Sequence, residues 1–585
     1  MSVIHPSLVL IATVLVLYLL PGRLWRWGVV GGPLLALLTV AGIKPGTILS
    51  YNFLGYDLLV LKADTLTLVF ALIFSIMGVL GVIYALHVKK RGEHAAALLY
   101  VAGSLGVVFA GDWLTLFFFW ELMSVASVFL IWYRGRRESL AAGFRYLLIH
   151  FLSGNLMLFG TLLLISKGNL AITNLTATNG IAFWLILGSV AINAAIPPLH
   201  AWLTDAYPEG TVSGSVFLSA FTTKVAVYVL IRVFAGTELL LWAGVIMALY
   251  GVVYAVLENN IRRLLAYHII SQVGYMVAAV GMGTDLALNG ATAHAFSHIL
   301  YKSLLFMGTG AVIYATGREK LTELGGIYKA MPLTVILYTV GAFSISGVPL
   351  FNGFISKSIV ITAAGESGYG IAELLLTLAS VGTFLHTGLK LPYFMFFGAD
   401  RGLKPVKIPL NMHLAMAGGA FLCILFGVFP TLLYKMLPYP MNYVPYTMDH
   451  VISSTQLLLA TAFGFFLLLA KLGGEPTLTI DTDWFYRKPA AAVFQRLVYI
   501  LKQTKVRLDA GGNYLFQFVG PYFTNPFLAP RKLLRAIYPA AVDDEFYEGE
   551  GALTYDENRY RFPLGINLLV AVIFITFVAT LAIVF

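Results

Sequence analysis

The stretch AHAFSHILYKSLLF, residues 293–306, places three titratable side chains at intervals of four residues within an apolar segment. On a helix, His294, His298 and Lys302 would form one stripe about 12 Å long, because residues four apart lie on the same face. Such groups are costly in hydrocarbon unless they face the interior of a bundle or a hydrated cavity. The stripe therefore predicts a helix packed inside a membrane protein that has a polar interior.

The composition of the whole chain indicates the same class of protein. Of its 585 residues, 59% are hydrophobic and 11% are charged, and a mean hydropathy of +0.84 excludes an ordinary soluble domain. The single cysteine, Cys423, can build neither a disulfide framework nor a cysteine-ligated metal or iron–sulfur site. We therefore expect no cofactor in this chain.

The chain has a formal charge of +10, which in a soluble protein would indicate nucleic acid as a partner. In a membrane protein, basic residues collect in cytoplasmic loops and next to anionic lipid. We therefore expect contact with the lipid bilayer and no nucleic acid.

Apolar runs of about 17 to 25 residues recur along the chain, each long enough to cross about 30 Å of hydrocarbon as a helix. They predict an all-α polytopic membrane protein with about 14–16 transmembrane helices. The candidate spans are 3–20, 29–43, 64–86, 95–111, 114–133, 144–166, 181–203, 211–234, 241–257, 264–283, 287–316, 332–364, 372–398, 412–434, 451–471 and 563–585. Lys and Arg are concentrated on one side, about sixteen against about five, so the positive-inside rule places that side in the cytoplasm and both termini outside.

The segment between residues 472 and 562 differs in composition from the rest. Its hydropathy is lower, and four prolines are expected to interrupt any long helix: Pro521, Pro526, Pro530 and Pro539. Residues 488–508 predict an amphipathic helix whose basic side chains face lipid headgroups or a partner subunit, with a solvated linker as the alternative. The predicted divisions are N-terminal helices 1–92, a first half 93–257, a second half 258–400, further transmembrane helices 401–471, the lateral segment 472–562 on the cytoplasmic side and a last helix 563–585.

Other titratable residues also fall within the predicted spans. Besides the stripe they are Glu121, Lys224, His268, Lys357, His386 and Lys390. Each has an ordinary alternative when taken alone: Lys390 could reach an interface, and His268 could be a hydrogen-bonded histidine near a helix end. At least five separate spans carry such a residue, so together they indicate a chain of proton-carrying groups.

The pair His294 and His298 has the spacing of two metal ligands on one helix face. However, no Glu follows the first His as in H-E-x-x-H, and Lys302 one turn further would repel a cation. A proton relay fits better, because histidine gains and loses a proton near neutral pH and buried lysines act as proton carriers. We therefore expect no metal site.

Proline and glycine interrupt two of the predicted spans. One contains Pro197 and Pro198 and is preceded by Asn193; the other contains Pro349 and is followed by Lys357. Broken helices mark ion pathways in transporters, because the freed backbone groups hold water or ions at mid-membrane. An ordinary proline kink is the alternative for either break taken alone.

Five motifs occur along the chain in an order that is specific to one family. They are FFFWELMSVASVFLI at 117–131, PPLHAWLTDAYPEGTVSGSV at 197–216 followed by LSAFTTKVAVYVL at 218–230, NNIRRLLAYHIISQVGYM at 259–276, AHAFSHILYKSLLF at 293–306 and GVPLFNGFISKS at 347–358. These motifs resemble the antiporter-like subunits shared by respiratory complex I, Mrp-type cation/proton antiporters and the related membrane-bound hydrogenases and sulfur reductases. The resemblance covers about residues 60–400. It implies two inverted five-helix repeats, each with a broken helix, around a hydrated chain of charged residues.

The resemblance also implies roles for individual residues. Glu121 would tune the first half-channel, and Lys224 would be the lysine of the following helix. The stripe would be the central connection, and Lys357 would lie at the exit half-channel. The polar segment and the helix after it would form a lateral arm, which the prolines are expected to shorten or break.

Asn193 departs from the family's pattern. Members usually place a lysine seven residues before the histidine of the PLH motif, where it pairs with the glutamate of the WE motif, and counting back from His200 gives Asn193. Glu121 then lacks its usual cation. Either Lys224 takes over the pairing, or the first half-channel works differently or not at all.

Together these observations predict an ion-translocating subunit of a multi-subunit energy-converting complex, which moves H⁺ or exchanges H⁺ for Na⁺. Its partners would be other membrane and peripheral subunits, and it would carry no redox centre and catalyse no covalent chemistry. Two alternatives come from other classes: a structural coupling subunit whose relay is interrupted at Asn193, and a self-sufficient carrier of a small organic solute. The dispersed relay does not favour the carrier, which would need a dedicated substrate pocket.

Overall fold

The computed structural model describes residues 4–21, 24–53, 55–473, 481–524 and 528–537, together with Val572 and Ile575. The chain divides into two compact units, residues 1–484 and 485–585. The α-helices of the first unit are α1 (Pro6–Leu19), α2 (Trp25–Gly42), α3 (Thr65–Ala85), α4 (Arg91–Phe109), α5 (Trp113–Trp132), α6 (Arg137–Ile165), α7 (Ile181–Asn193), α8 (Ala201–Ala206), α9 (Gly214–Ala220), α10 (Thr222–Val233), α11 (Glu238–Leu257), α12 (Ile261–Met282), α13 (Asp285–Thr316), α14 (Pro332–Ser346), α15 (Asn352–Glu366), α16 (Gly370–Thr383), α17 (Leu410–Val428), α18 (Pro430–Tyr434) and α19 (Met448–Leu467). Short 3₁₀ turns occupy Ala177–Asn179, Tyr207–Glu209, Leu321–Glu323 and Leu469–Lys471.

The described helices confirm the predicted fold class. Eleven helical stretches are long and apolar enough to cross a membrane, and three shorter apolar helices, α1, α7 and α14, accompany them in the described part of the chain. The chain is therefore an all-α polytopic membrane protein. The inverted relation of its two halves stays a prediction, and the last expected span, 563–585, lies outside the described residues apart from Val572 and Ile575.

The centre of the first unit is formed by α12 and α13. The apolar window of α12 is 100% buried and that of α13 is 89% buried, whereas that of α19 is 6% buried within the chain. Seven helices pack against α13: α3, α9, α10, α12, α14, α15 and α17. Polar side chains on α13 therefore face protein rather than lipid.

Besides span 412–434, which is split at Phe429 into α17 and α18, three of the predicted spans are broken helices. Span 181–203 leaves helical geometry after Asn193 and resumes in α8, and span 332–364 is split into α14 and α15. Span 211–234, in which the sequence analysis identified no break, is interrupted at Phe221 between α9 and α10. Neither proline nor glycine marks this third break in the sequence.

A β-hairpin between α2 and α3 was not predicted. Its strands, β1 (Ile48–Phe53) and β2 (Tyr56–Lys62), pair antiparallel. Asp112, which caps α5, accepts hydrogen bonds from the amide of Leu59 at 2.7 Å and from the amide of Thr115 at 2.8 Å. This single carboxylate therefore fixes the hairpin against the start of α5.

The helix that begins as α16 continues in two π-helical turns, Phe384–Lys390 and Tyr393–Phe397. π-helical turns are rare and occur frequently at functional sites. The first turn carries His386 and Lys390, both buried.

The second compact unit contains a long surface helix. After the short α20 (Asp483–Phe485) at the boundary and a π-helical turn, Tyr486–Ala490, come α21 (Ala491–Thr524) and α22 (Leu528–Ile537). The expectation that Pro521 interrupts a long helix is wrong, because α21 includes it and runs for 34 residues. Pro521 lies in the last turn, so the bond it removes leaves the rest of α21 intact, and Pro530 lies in the first turn of α22, where an amide has no helical partner. Pro526 and Pro539 lie outside the described residues.

Candidate functional site

The predicted stripe on α13 lies in the middle of the first unit. His294, His298 and Lys302 are all fully buried, and the ring centroids of the two histidines are 6.4 Å apart. Neither ring nitrogen of His298 nor the amine of Lys302 has a hydrogen-bond partner among the described residues. Because buried polar groups in native proteins are nearly always satisfied by protein or water, the stripe has the open bonding capacity of a hydrated site.

Lys224 extends the stripe toward the first half of the chain. It is fully buried in α10, and its amine donates a hydrogen bond to the carbonyl of Ser219 at 2.5 Å. The break at Phe221 removes that carbonyl from the regular helical pattern, so the amine takes the place of a backbone donor. The Lys224 amine also interacts electrostatically with His298 and Lys302, and the three groups form one basic cluster.

Lys357 lies at the other end of the stripe, on α15. Its amine donates hydrogen bonds to the carbonyl of Ile345 at 2.9 Å and to the hydroxyl of Ser380 at 3.2 Å. His294 Nδ1 lies 3.2 Å from the hydroxyl of Ser356, the residue before Lys357. The stripe therefore reaches the second broken helix through neighbouring residues of α15.

A cavity of about 220 Å³, lined by both polar and apolar side chains, opens beside Lys357. Its wall combines the Lys357 amine with hydroxyl and imidazole side chains from α14, α15, α16 and α19. These lining residues are Ser346, Ser358, Thr377, Ser380, His450, Ser453, Ser454 and Thr461. At about 30 Å³ for each water molecule, the cavity has room for about seven. It can therefore hydrate the lysine.

His268, His386 and Lys390 form a branch beside the stripe. The ring centroids of His268 and His386 are 6.3 Å apart, and His268 interacts electrostatically with Lys302. The amine of Lys390 donates a hydrogen bond to the carbonyl of Val256 at 2.5 Å. The π-helical turn that follows α16 thus brings two further basic groups to the array.

Glu121 and Asn193 stand apart from these basic residues. Glu121 is half-buried on α5, and its Oε1 has no hydrogen-bond partner in the part of the chain that the structure describes. Asn193 is fully buried at the end of α7, and both polar atoms of its amide lack a partner within the described ranges. Among the residues that the structure describes, none of the eight predicted basic residues pairs with Glu121.

Two of the helix breaks share a backbone feature. Ala195, after α7, has φ 59°, and Leu350, between α14 and α15, has φ 74°. Positive φ costs a non-glycine residue about 1 to 2 kcal/mol, and such residues persist where the surrounding fold fixes them, often at functional sites. Each of these breaks is therefore held by its surroundings rather than by a flexible residue.

Asp481 is a buried group that the sequence analysis missed. Its carboxylate accepts hydrogen bonds from the hydroxyls of Tyr250 and Tyr267 and lies 3.1 Å from His200 Nε2. Burial alone would raise the pKa of this carboxyl, but the bonds from His200, Tyr250 and Tyr267 outweigh it and hold the pKa well below its usual range. The histidine of the PPLH motif is thereby paired with an anion from the polar segment that follows α19.

The geometry defines a class of protein. Apolar helices, some of them broken at mid-length, enclose a buried array of lysines and histidines next to the cavity at Lys357. This is the architecture of a membrane protein with an internal path for ions. Residues 110–385 match the family model described as "NADH:quinone oxidoreductase/Mrp antiporter, TM". The chain is 30% identical over 369 residues to a Na⁺/H⁺ antiporter subunit of Alkalihalophilus pseudofirmus, a match that covers 59% of this chain and 74% of that protein. The chain belongs to this family of membrane subunits, which confirms the resemblance seen in its motifs.

Two further comparisons extend the match beyond the family's core. The chain is 30% identical over 455 residues to a second Na⁺/H⁺ antiporter subunit of the same organism, and this match covers 68% of the chain. It spans little more than half of that relative, 56% of its length. A component of the membrane-bound sulfane sulfur reductase, an archaeal respiratory membrane complex, superposes with a TM-score of 0.69 at 24% identity, covering 86% of this chain and 95% of that one. The superposition shows a shared fold.

Proposed function

We propose that the chain is an ion-translocating subunit of a multi-subunit energy-converting membrane complex, and that it moves H⁺ or exchanges H⁺ for Na⁺. The relatives described above are subunits of Na⁺/H⁺ antiporters. This supports H⁺ and Na⁺ as the ions that move, and it supports a requirement for partner subunits. The observation that carries the proposal is the continuous buried array of basic groups from Lys224 through the stripe to Lys357.

Mutual repulsion between neighbouring basic groups would drive the proton along the array. Two cations in a site of low dielectric repel each other strongly, so the array holds fewer protons than it has basic sites. A proton that arrives at Lys224 favours the release of one from Lys302, and the same step repeats from His298 to His294 and on to Lys357. Only N–H and O–H bonds form and break.

The cavity beside Lys357 would be the exit for the proton. Lys357 releases its proton to water held between α15 and α19, and the cavity wall continues along Ser453 to His450 near the start of α19. The positive-inside rule places that end of α19 on the outer side of the membrane. The second half of the chain therefore opens outward.

We further propose a prokaryotic cell membrane as the location, with the polar segment 472–562 on the cytoplasmic side. The exposed apolar surface of α19 supports contact with lipid or with neighbouring subunits, because only 6% of its apolar window is buried within the chain. Exposed apolar side chains on α21, such as Phe516 and Phe523, support a second contact of the same kind.

Alanine substitution of Lys302 and of Lys357 tests this function. Either substitution should reduce ion flux into vesicles that contain the intact complex at least tenfold and leave assembly unchanged. Lys435→Ala, at an exposed lysine, is the matched control and should keep native flux. Native flux in Lys302→Ala would refute the assignment.

A structural coupling subunit is the second candidate. The observation that favours it is the gap between Glu121 and the basic array, where the family's usual lysine is replaced by Asn193. In that case Lys302→Ala and Lys357→Ala would leave flux through the complex unchanged, and only removal of the whole subunit would reduce it.

A further inference from the structure

His150 on α6 is a buried titratable group that the relay described above does not use. It is fully buried, and both of its ring nitrogens lack a hydrogen-bond partner among the residues that the structure describes. An imidazole in an apolar span needs partners for at least one donor and one acceptor. The Asn193 side chain is the one described group that interacts with the ring, and a single contact serves at most one of the two nitrogens. Water is therefore left to satisfy the other nitrogen.

The ring of His150 packs between α6, which carries it, and the first broken helix, which comprises α7 and α8. Its centroid is 4.6 Å from the ring of Trp202 in α8 and 4.1 Å from the ring of Tyr146 one turn earlier. It also lies within interaction distance of the Asn193 side chain at the end of α7. The imidazole is therefore placed at the break, beside the asparagine that interrupts the expected lysine position.

The carboxyl of Glu121 approaches the same face of α6. A Cβ placed on Gly154 would overlap Glu121 Oε1, so the carboxyl rests directly on the backbone at that glycine. Gly154 follows His150 by four residues and lies on the same helix face, about 6 Å further along the axis. One or two water molecules would connect the carboxyl to the imidazole over that distance.

Hydroxyl groups continue from His150 toward Lys224. The Tyr146 hydroxyl lies 2.8 Å from that of Ser127 and is close to Thr222. Thr222 is the first residue of α10, two positions before Lys224, and its hydroxyl lies 2.6 Å from that of Tyr100. Hydroxyl groups both donate and accept hydrogen bonds. Side chains two positions apart on a helix do not face each other, so water would have to complete the path between this cluster and the Lys224 amine.

We infer that His150 is the proton carrier of the first half of the pathway, linking Glu121 to Lys224 in place of the lysine that is absent at position 193. This inference rests on the proposed ion translocation. One ring nitrogen takes a proton from water on the Glu121 side, and the other nitrogen releases a proton toward the Tyr146 and Thr222 hydroxyls. A rotation of the ring about its Cβ–Cγ bond then restores the starting arrangement for the next proton, and no bond other than N–H and O–H changes.

The test compares His150→Phe and His150→Gln with native protein in the assembled complex, with ion flux into vesicles as the readout. Phenylalanine keeps the ring contacts with Tyr146 and Trp202 but carries no proton, and glutamine keeps hydrogen bonding without titration. Both should lower flux at least tenfold, and Asn193→Lys added to His150→Phe should restore flux with a different pH profile. A purely structural histidine would leave His150→Phe near native, and Asn193→Lys would restore nothing.

The controls separate this inference from the function on which it rests. Native flux in His150→Phe together with lost flux in Lys302→Ala overturns the role of His150 and leaves ion translocation standing. Native flux in both variants overturns ion translocation itself. If the His150 variants fail to assemble, Gly154→Ala is measured instead, because it displaces the Glu121 carboxyl and leaves the imidazole in place. It should lower flux at least threefold, and native flux in Gly154→Ala overturns the inference.

Discussion

Replacing Asp481 by alanine should destabilise the first unit, because this carboxylate fixes the residues after α19 to the helices around it. Three side chains donate to it: His200 and Tyr267 are buried, and Tyr250 is half-buried. A hydrogen bond to a charged group contributes about 1.5 to 3 kcal/mol, and water can replace the bond from Tyr250. Loss of the two buried bonds should lower the free energy of unfolding by about 3 to 6 kcal/mol.

The free energy of unfolding is measured on the purified chain in detergent micelles, by titration with sodium dodecyl sulfate and tryptophan fluorescence. Asp481→Asn keeps one acceptor oxygen and should lie between native protein and Asp481→Ala. Asp509→Ala, at an exposed position of α21, is the control and should stay within about 0.5 kcal/mol of native protein. A loss below about 1 kcal/mol in Asp481→Ala would show that the buried carboxylate is dispensable and would refute the reasoning.

Two further predictions concern the outer parts of the first unit. Burial lowers the pKa of His5, the cap of α1, to about 4 despite its bond to the Val60 carbonyl. Because this is below the unfolded value of about 6.5, stability is full above pH 6.5 and falls as the pH decreases, by about 2 kcal/mol from pH 7.5 to pH 5. The free energy of unfolding of His5→Gln, measured in detergent at both pH values, should lack this pH-dependent loss. A loss as large as that of native protein would show that His5 is not its cause. Filling the cavity with Ser453→Leu should slow flux severalfold, while Thr455→Leu on the exposed face of α19 should not; equal fluxes would show that the cavity is not the exit.

The sequence was sufficient to predict the array because a charge inside an apolar span has few explanations. The four-residue spacing of His294, His298 and Lys302 predicts one helix face whatever the neighbouring helices do. Proline and glycine likewise predicted the breaks near Pro198 and Pro349. These patterns are local, so they can be recognised without knowledge of the tertiary structure.

The remaining features depend on contacts between distant residues. Asp481 meets His200 across 281 positions of the chain, and an aspartate in a polar stretch gives no indication that it is buried. The break at Phe221 has no proline or glycine, and the Lys224 amine that replaces its backbone bond is seen only in the folded chain. His150 is an isolated histidine in an apolar span, and only the packing of α5 and α8 against α6 places it between Glu121 and the break.

The central claim is that this protein conducts ions through its own basic array. Its most direct test follows Na⁺ and pH together in vesicles that contain the intact complex, with native protein and Lys224→Ala compared side by side. We expect Lys224→Ala to assemble normally and to lose ion flux, because the proton then has no route from the first half of the chain to the stripe. Unchanged flux in the assembled variant would contradict the claim and would show that a neighbouring subunit does the pumping.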